Sequence, residues 1–170
     1  MNHAERERLF LDLFQQNKSR IHRLCFAYLN SPADIDDLFQ EIMTNLWNAL
    51  PSFRGDSHPN TWLYRIAVNT ALLYRRRQRP SAPLPEADPP DLSPSTHQQM
   101  EEAERLAVLR RAIAQLGDQD RLIITLLLES LSYKEIAEIT GLTVNHVGVK
   151  ISRIKQAIEQ RMTEECHGKL

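Results

Sequence analysis

Apolar residues recur every three or four positions through most of residues 1–80, and this spacing predicts helices. Near the N-terminus it defines one apolar face, made of Leu9, Phe10, Leu13, Phe14, Ile21, Leu24, Cys25 and Tyr28. A second helix is expected to begin at Ser31, because a capping hydroxyl is followed by Pro32 in the first turn and by Asp34 near the positive end of the dipole. Its apolar stripe contains Ile35, Leu38, Phe39, Ile42, Leu46 and Trp47.

A polar loop at 51–60, containing Pro51 and Gly55, interrupts this pattern. A third helix is predicted from Asn60 to Gln78, with a core-facing side made of Trp62, Leu63, Ile66 and Ala67. Short alternating runs closed by Asn-Gly or Asp-Gly turns would indicate strands, and the sequence has none. We therefore predict an all-α fold.

The last third of the chain has the same helical periodicity. Its first helix ends at Gly117 and is marked by Leu106, Leu109, Ile113 and Leu116. A second helix is predicted over 118–129, through the longest apolar stretch of the chain at 122–128. That stretch is much shorter than the ~18 residues of a membrane-spanning helix, so no membrane insertion is expected.

A short helix and a longer one are predicted at 132–139 and 143–161. Ser132 is placed to cap the short helix, and Glu135 can complete a capping box with it. Thr143 is placed to cap the longer helix. The buried side of this longer helix is predicted to contain Val144, Val147, Ile151, Ile154 and Ile158.

Ala137, Gly141 and Val147 give these two helices the spacing of a helix-turn-helix. In such motifs the N-terminal part of the second helix reads base edges, and flanking basic residues touch phosphates. Asparagine can read adenine, and lysine or arginine can contact guanine or phosphate. A solvated face on a helical bundle is the alternative interpretation of the same residues. The candidates for DNA contact are Thr143, Asn145, His146, Val149, Lys150 and Arg153.

The two helical regions are separated by a segment of different composition. Six of the nine prolines fall between Pro80 and Pro94, and residues 81–104 carry six acidic residues without a lysine or arginine. Proline disfavours helix and glycine is absent from the proline-rich stretch, so we expect the acidic linker at 80–104 to be an extended, semi-stiff tether that cannot fold alone. The predicted domains are 1–79 and 105–165, followed by a tail at 166–170.

The formal net charge of −1 conceals an uneven distribution. Residues 1–80 carry 11 basic and 8 acidic residues, and residues 105–170 carry 10 and 8. Two mildly basic domains are therefore separated by an acidic spacer, and the spacer sets the sign of the whole. Hydrophobic residues make up 42% and charged residues 25%, which excludes a wholly disordered or fibrous chain.

No pattern typical of catalysis or metal binding occurs in the sequence. Cys25 and Cys166 lack the spacing of a disulfide or a metal site, and the six histidines form no His-x-x-x-His motif. A Gly-rich phosphate loop and a nucleophile elbow are also absent. The first residues, MNHAERER, do not resemble a signal peptide. We expect a cytoplasmic protein that is not an enzyme and holds no metal or cofactor.

Three segments carry a resemblance to a known family. DIDDLFQEIMTNLW at 34–47 resembles the Asp-x-x-Asp-Leu-x-Gln-Glu segment of bacterial RNA polymerase sigma factors, and FRGDSHPNTWLYRIAVN at 53–69 resembles the segment that follows it. Together with SYKEIAEITGLT at 132–143, they are similar to the small two-domain sigma factors of the extracytoplasmic-function (ECF) type. Motifs in the right order at the right separation are more specific than one motif alone.

The resemblance implies that the chain binds core RNA polymerase and promoter DNA. Asp37, Gln40 and Glu41 match the family's docking segment for the clamp helices of the largest subunit, and Asp34 lies on the same side. The family also implies contact with the flap of the second-largest subunit and with an anti-sigma factor. Simple solvation of an acidic helix face is the alternative interpretation of these four residues.

The family's loop and following helix melt and read the minus-ten element of the promoter. The resemblance therefore assigns this role to 52–60 and to the exposed side of 61–79, with candidates Phe53, His58, Asn60, Tyr64, Arg65, Asn69, Arg75 and Arg76. Trp62 is expected in the core because it shares a stripe with Ile66. The arginines also suit the negative end of a helix dipole without any DNA.

The resemblance assigns the minus-thirty-five element to the final helix. The sequence departs from the family there, because Gly148 and Val149 replace a more basic or hydroxylic pair. A stand-alone helix-turn-helix regulator would bind duplex DNA without polymerase, usually as a dimer on a palindrome. An adaptor that binds polymerase without DNA would be indifferent to charge reversal at Lys150 and Arg153.

Overall fold

The helices predicted from the sequence are present in the computed structural model of the chain, which describes residues 2–29, 31–78 and 97–167. The N-terminal domain consists of α1 (His3–Tyr28), α2 (Pro32–Ala49) and α3 (Pro59–Gln78), with a 3-10 turn at Leu50–Ser52. The C-terminal domain consists of α4 (His97–Ala114), α5 (Asp118–Leu128), α6 (Tyr133–Thr140) and α7 (Val144–His167). The described residues contain no strand, and the predicted all-α fold of two helical domains is confirmed.

Hydrogen bonds at the helix starts explain where several helices begin. Ser31 Oγ accepts from the Asp34 backbone N–H at 3.5 Å, as the sequence predicts. Asn2 and Glu5 form a capping box at the start of α1, with both hydrogen bonds at 2.8 Å. This box was not predicted, although an asparagine three residues before a glutamate is a readable signal. With this cap, α1 runs unbroken over 26 residues.

The core of the N-terminal domain is formed where α1, α2 and α3 meet. The buried asparagine Asn17 is accommodated because its Nδ2 donates to the Leu13 carbonyl at 2.9 Å and to Asn60 Oδ1 at 3.0 Å. Phe39 and Trp47, predicted to be buried, are only half-buried along the α1–α2 seam. There the Phe10 and Trp47 rings meet edge to face, with centroids 5.4 Å apart.

The C-terminal domain departs from the predicted pattern at two apolar positions. Leu106 is 47% exposed, and Val108 and Ala112 are the α4 residues buried in its place. Periodicity gives the apolar side of a helix but not how much of it a neighbour covers, and α4 packs mainly on α7. Val144 is 48% exposed because the whole first turn of α7, 144–146, is open to solvent.

The linker is shorter than predicted. Helix α4 begins at His97, so residues 97–104 are helical and do not belong to an extended tether. The rest of the predicted linker, 80–96, lies outside the described residues, as do residues 168–170 of the predicted tail. The final helix extends to His167, six residues beyond the predicted end.

The two domains pack directly against each other. Helix α1 contacts α5, and α3 contacts α6. This contact was not predicted, because hydrophobic periodicity reports the inner face of each domain and not the match between their outer surfaces. It determines which of the candidate residues are accessible.

Candidate nucleic-acid interface

The turn between α6 and α7 has the geometry of a helix-turn-helix. Gly141 has a φ of +73°, a left-handed conformation that glycine adopts without strain. Its backbone N–H donates to the Ala137 carbonyl at 2.9 Å and so closes α6. Thr143 Oγ1 accepts from the His146 backbone N–H at 3.2 Å, which caps α7 as predicted. Val147 is fully buried between the two helices.

The start of α7 presents a mixed polar and apolar patch to solvent, which we call the α7 surface. Asparagine and arginine supply hydrogen-bond donors for base edges and phosphates, and valine can make an apolar contact with a thymine methyl group. Sequence reasoning assigned Val144 to the core and so missed it. The exposed residues of the α7 surface are Thr143, Val144, Asn145, His146, Val149 and Arg153.

Lys150 differs from the other candidates on α7. Its Nζ lies 2.7 Å from Asp120 Oδ1, and its side chain is only 21% exposed. The ion pair joins α7 to the first turn of α5 inside the same domain. The predicted DNA contact would therefore have to compete with Asp120.

Tyr133, at the start of α6, is a second residue that sequence reasoning missed. It is 40% exposed, and its ring lies against Gly148 of α7. The glycine leaves room for this ring beside the α7 surface. The available sequence signal for this exposure was the position of Tyr133 in the first turn of a short helix, directly after the Ser132 cap.

The acidic face of α2 is partly engaged by the end of α3. Asp37 and Gln40 are exposed. Glu41 pairs with Arg77 Nη2 at 2.6 and 2.7 Å, and Asp34 Oδ1 accepts from Gln78 Nε2 at 3.1 Å. Burial, reinforced by the nearby acidic side chains of α2, raises the pKa of Tyr74. A partner therefore has freer access to Asp37 and Gln40 than to the other two candidates.

Of the minus-ten candidates in the loop before α3 and along α3, some are exposed to solvent and others contact residues of the same domain. His58 and Asn69 are exposed. Phe53 packs on Trp62 with ring centroids 4.8 Å apart, and both rings are half-buried. His58 Nδ1 accepts from the Asn60 backbone N–H at 3.2 Å, which caps the start of α3. The Asn60 side chain is held from inside the domain by Asn17.

Three other minus-ten candidates lie at the contact between the domains. Tyr64, predicted to be on the exposed side of α3, is 1% exposed, and this burial raises its pKa to about 12. Arg65 Nη2 lies 3.4 Å from Glu138 Oε1 of α6, and Arg75 pairs with Asp118 of α5. Tyr64 is therefore not on the exposed side of α3, and both Arg20 of its own domain and Glu129 of the other domain lie beside it. Arg76 remains exposed.

An apolar groove lies in the C-terminal domain, between α4, α5 and α7. Its volume is about 530 Å³, and Leu128 at its edge is one of the most exposed leucines. Exposed apolar surface of this kind is typical of a site for another protein chain. The other apolar lining residues are Leu109, Ile113, Ile124, Ile158 and Met162.

Comparison with known proteins accounts for both domains. A family model for sigma-70 region 2 matches residues 13–81, and a model for sigma-70 region 4 matches residues 106–158. The ECF RNA polymerase sigma-E factor of Escherichia coli K12 is 33% identical over 168 residues, covering 92% of this chain and 87% of that protein. The chain belongs to the ECF sigma factors. The sigma-E factor of Haemophilus influenzae is also 33% identical, over 162 residues, covering 88% of the chain and 85% of that protein.

Solved structures share the fold of this sigma factor. CnrH, solved in complex with the cytosolic domain of CnrY, has a TM-score of 0.69 at 22% identity, covering 93% of this chain and 90% of that chain. The sigma factor RpoE of Bartonella quintana, solved with the anti-sigma factor NepR, has a TM-score of 0.68 at 19% identity. That match covers 89% of this chain and 97% of the RpoE chain.

The sigma factor directs promoter-specific transcription initiation and acts with RNA polymerase and promoter DNA. The region 2 match includes the acidic face of α2 and all the minus-ten candidates, and the region 4 match includes the α7 surface.

None of the described helices is long and apolar enough to cross a membrane. The arginines Arg20 and Arg23 of α1, which meet Glu129 of the other domain, were not singled out from the sequence.

Proposed function

We propose that this sigma factor reads the minus-thirty-five element with the α7 surface and the minus-ten element with the loop before α3 and the outer side of α3. The observation that carries this proposal is the exposure of the whole first turn of α7 beyond a capped helix-turn-helix. A recognition helix needs this part free, because it is the part that enters the major groove.

Three candidates are accessible for contact with the minus-ten DNA, because they are exposed to solvent: His58, Asn69 and Arg76. Phe53 and Trp62 form a half-buried aromatic pair beside the loop. A base taken from the stack loses a few kcal/mol of stacking, and contact with an aromatic ring returns ~1–3 kcal/mol. We assign Phe53, rather than the more deeply placed Tyr64, to this contact.

We further propose that Asp37 and Gln40 dock on the clamp helices of the polymerase's largest subunit. The apolar groove between α4, α5 and α7 suits a segment from the flap of the second-largest subunit, because an apolar helix face would cover the exposed Leu128. The complex of RpoE with the anti-sigma factor NepR supports an equivalent partner for this chain. The protein would act in the cytoplasm, where core polymerase is found, and without catalysing a reaction itself.

Asn145→Ala tests the assignment of α7. Purified chain and core polymerase are compared in run-off transcription on promoters that differ only in the upstream element. The substitution should flatten the preference among these promoters, because the amide that distinguishes adenine is gone. Gln156→Ala is the matched control, since Gln156 is exposed about three turns further along the same helix. An equal loss on every upstream sequence would assign Asn145 to structure and not to base recognition.

A further inference from the structure

Two rows of side chains run along the first turns of α7. Residues four positions apart lie on the same side of a helix, because one turn takes 3.6 residues. His146 and Lys150 therefore form one row, and Arg153 continues it. Asn145 and Val149 form the neighbouring row, and both are exposed. The first row carries a lysine and an arginine, whereas the second combines an amide with an apolar side chain.

Exposed apolar surface borders the row of Asn145 and Val149. Val149 is 42% exposed, and Val144, in the first turn of the same helix, is 48% exposed. Tyr133 of α6 is 40% exposed, and its ring lies against Gly148. Three of the eight large apolar side chains that are exposed among the described residues therefore lie on this small part of the surface. Apolar surface gathered in this way marks a contact site, whereas single exposed apolar residues do not.

The first two turns of α7, which the structure describes in full, offer no unpaired lysine or arginine to a base edge. Within residues 144–150, Lys150 is the one side chain of this type. Its Nζ lies 2.7 Å from Asp120 Oδ1, and its side chain is 21% exposed. Lysine and arginine make the commonest specific contact with guanine, through its O6 and N7 acceptors. Arg153 is exposed but follows the N-terminal part of the helix that contacts bases.

An asparagine and a valine in one row match the major-groove edge of A·T pairs. Adenine presents N7 and N6 to the asparagine amide, and thymine presents its C5 methyl group to an apolar side chain. A G·C pair presents O6, N7 and N4, and a valine placed against these atoms would remove water without replacing its hydrogen bonds. The two side chains are about 6 Å apart along the helix axis, and stacked bases are about 3.4 Å apart. They can therefore contact base pairs one or two steps apart.

We infer that Val149 is a specificity-determining residue, which selects a thymine through its methyl group close to an adenine that Asn145 reads. This inference rests on the proposed role of the α7 surface at the minus-thirty-five element. The upstream element of this sigma factor is then made of A·T pairs where the first turns of α7 enter the groove, and guanine is not required there. Arg153, in the basic row, contacts the DNA backbone and adds affinity without reading sequence.

The first test removes the methyl group from the DNA, so that the protein stays unchanged. Upstream segments are randomised in a promoter that the chain activates with core polymerase, and the segments that support run-off transcription are sequenced. Each thymine of the selected element is then replaced by uracil, which differs only in lacking the methyl group. At one position the replacement should reduce transcription at limiting polymerase about fourfold, the effect of one buried methyl group. A selected element without thymine, or one that tolerates every uracil, would overturn the inference.

Val149→Arg tests the same contact from the protein side. Arginine reads guanine, so the variant should prefer guanine at the uracil-sensitive position and lose the penalty for uracil there. Gln156→Arg is the matched control, because it adds the same charge at an exposed position about two turns further along α7. It should leave the preference at that position unchanged, and circular dichroism checks that both variants are helical. A Val149→Arg chain that keeps the preference for thymine would contradict the assignment to Val149.

The outcomes separate this inference from the proposed function of α7. If the selection enriches no upstream sequence, or if Asn145→Ala leaves the enriched sequence unchanged, α7 does not read this element and both proposals fail. If the enriched sequence depends on Asn145 but contains no uracil-sensitive thymine, α7 reads the upstream element and only the role of Val149 is wrong.

Discussion

The aromatic ring of Tyr133 lies over Gly148, so that a Cβ added at the glycine would stand 3.7 Å from Tyr133 Cε2. This is an ordinary van der Waals distance, and the site is inside α7 without a positive φ. Gly148→Ala should therefore stabilise the C-terminal domain by ~0.5–1 kcal/mol, because alanine loses less backbone entropy than glycine in a helix. Urea unfolding of the full chain measures the effect. A loss of stability would mean that Tyr133 cannot accept the methyl group.

The same variant reports on the use of the glycine at the promoter. If the glycine serves close approach of DNA to the α7 backbone, Gly148→Ala should reduce transcription from promoters with an upstream element and leave the chain more stable. Transcription that rises or falls in step with stability would contradict a role in DNA approach. Ser152→Ala, exposed one turn further along α7, provides the control for a small change on the same helix.

The capping box of α6 should make stability depend on pH. Hydrogen bonds from the Ser132 hydroxyl and backbone N–H lower the pKa of Glu135 from its ordinary value of 4.5. A lowered pKa in the folded chain means that the contribution is complete above the ordinary pKa and is lost as the pH falls through the folded pKa. The difference in unfolding free energy between the unmodified chain and Glu135→Gln should be constant near pH 6–7 and shrink below about pH 4.5. A difference that grows on acidification would contradict this sign.

Ser132→Ala removes the other half of the same box. The substitution leaves the backbone N–H of Glu135 without its side-chain acceptor and should cost ~1 kcal/mol of unfolding free energy. Ser132→Asp should restore most of the loss, because aspartate also accepts at this position. Thermal unfolding followed by circular dichroism compares the three chains. Failure of aspartate to rescue would assign the loss to packing.

Arg121 stabilises the end of α4 from inside the C-terminal domain. It is 2% exposed, and its Nη2 donates to the Ala114 and Leu116 carbonyls. Burial lowers the pKa of this guanidinium group. Arg121→Ala should cost about 3 kcal/mol, because it removes the hydrogen bonds and leaves a cavity, whereas Arg121→Met should cost about half as much. Equal losses in calorimetry would show that packing volume contributes little.

Polymerase docking is best tested at Asp37, which is exposed, rather than at Glu41, whose carboxylate is held by Arg77. Asp37→Arg should weaken binding to core polymerase by about tenfold or more, since it reverses a charge at the proposed contact. Asp12→Arg makes the same charge change at an exposed position of α1 and should bind normally. Competition against labelled unmodified chain measures both. Normal binding of Asp37→Arg would count against this docking face.

Local signals predicted most of the helices and the helix-turn-helix. Ser31, Ser132 and Thr143 cap their helices through contacts within three residues, so a short stretch of sequence contains the whole cause. Arg65 and Glu138 lie 73 positions apart, and no periodicity relates them. The accessibility of a candidate residue depends on such pairs. The helices and their caps were therefore predictable from the sequence, whereas the burial of Tyr64 was not.

Helix α1 is about 39 Å long and contains neither proline nor glycine, so it acts as one stiff rod. Its first turns are fixed to α2, where the Arg6 guanidinium stacks 4.0 Å above the Trp47 ring. Arg20 and Arg23, near its other end, hold Glu129. One unbroken helix therefore joins the α1–α2 seam at its start to the ion pairs with the other domain near its end.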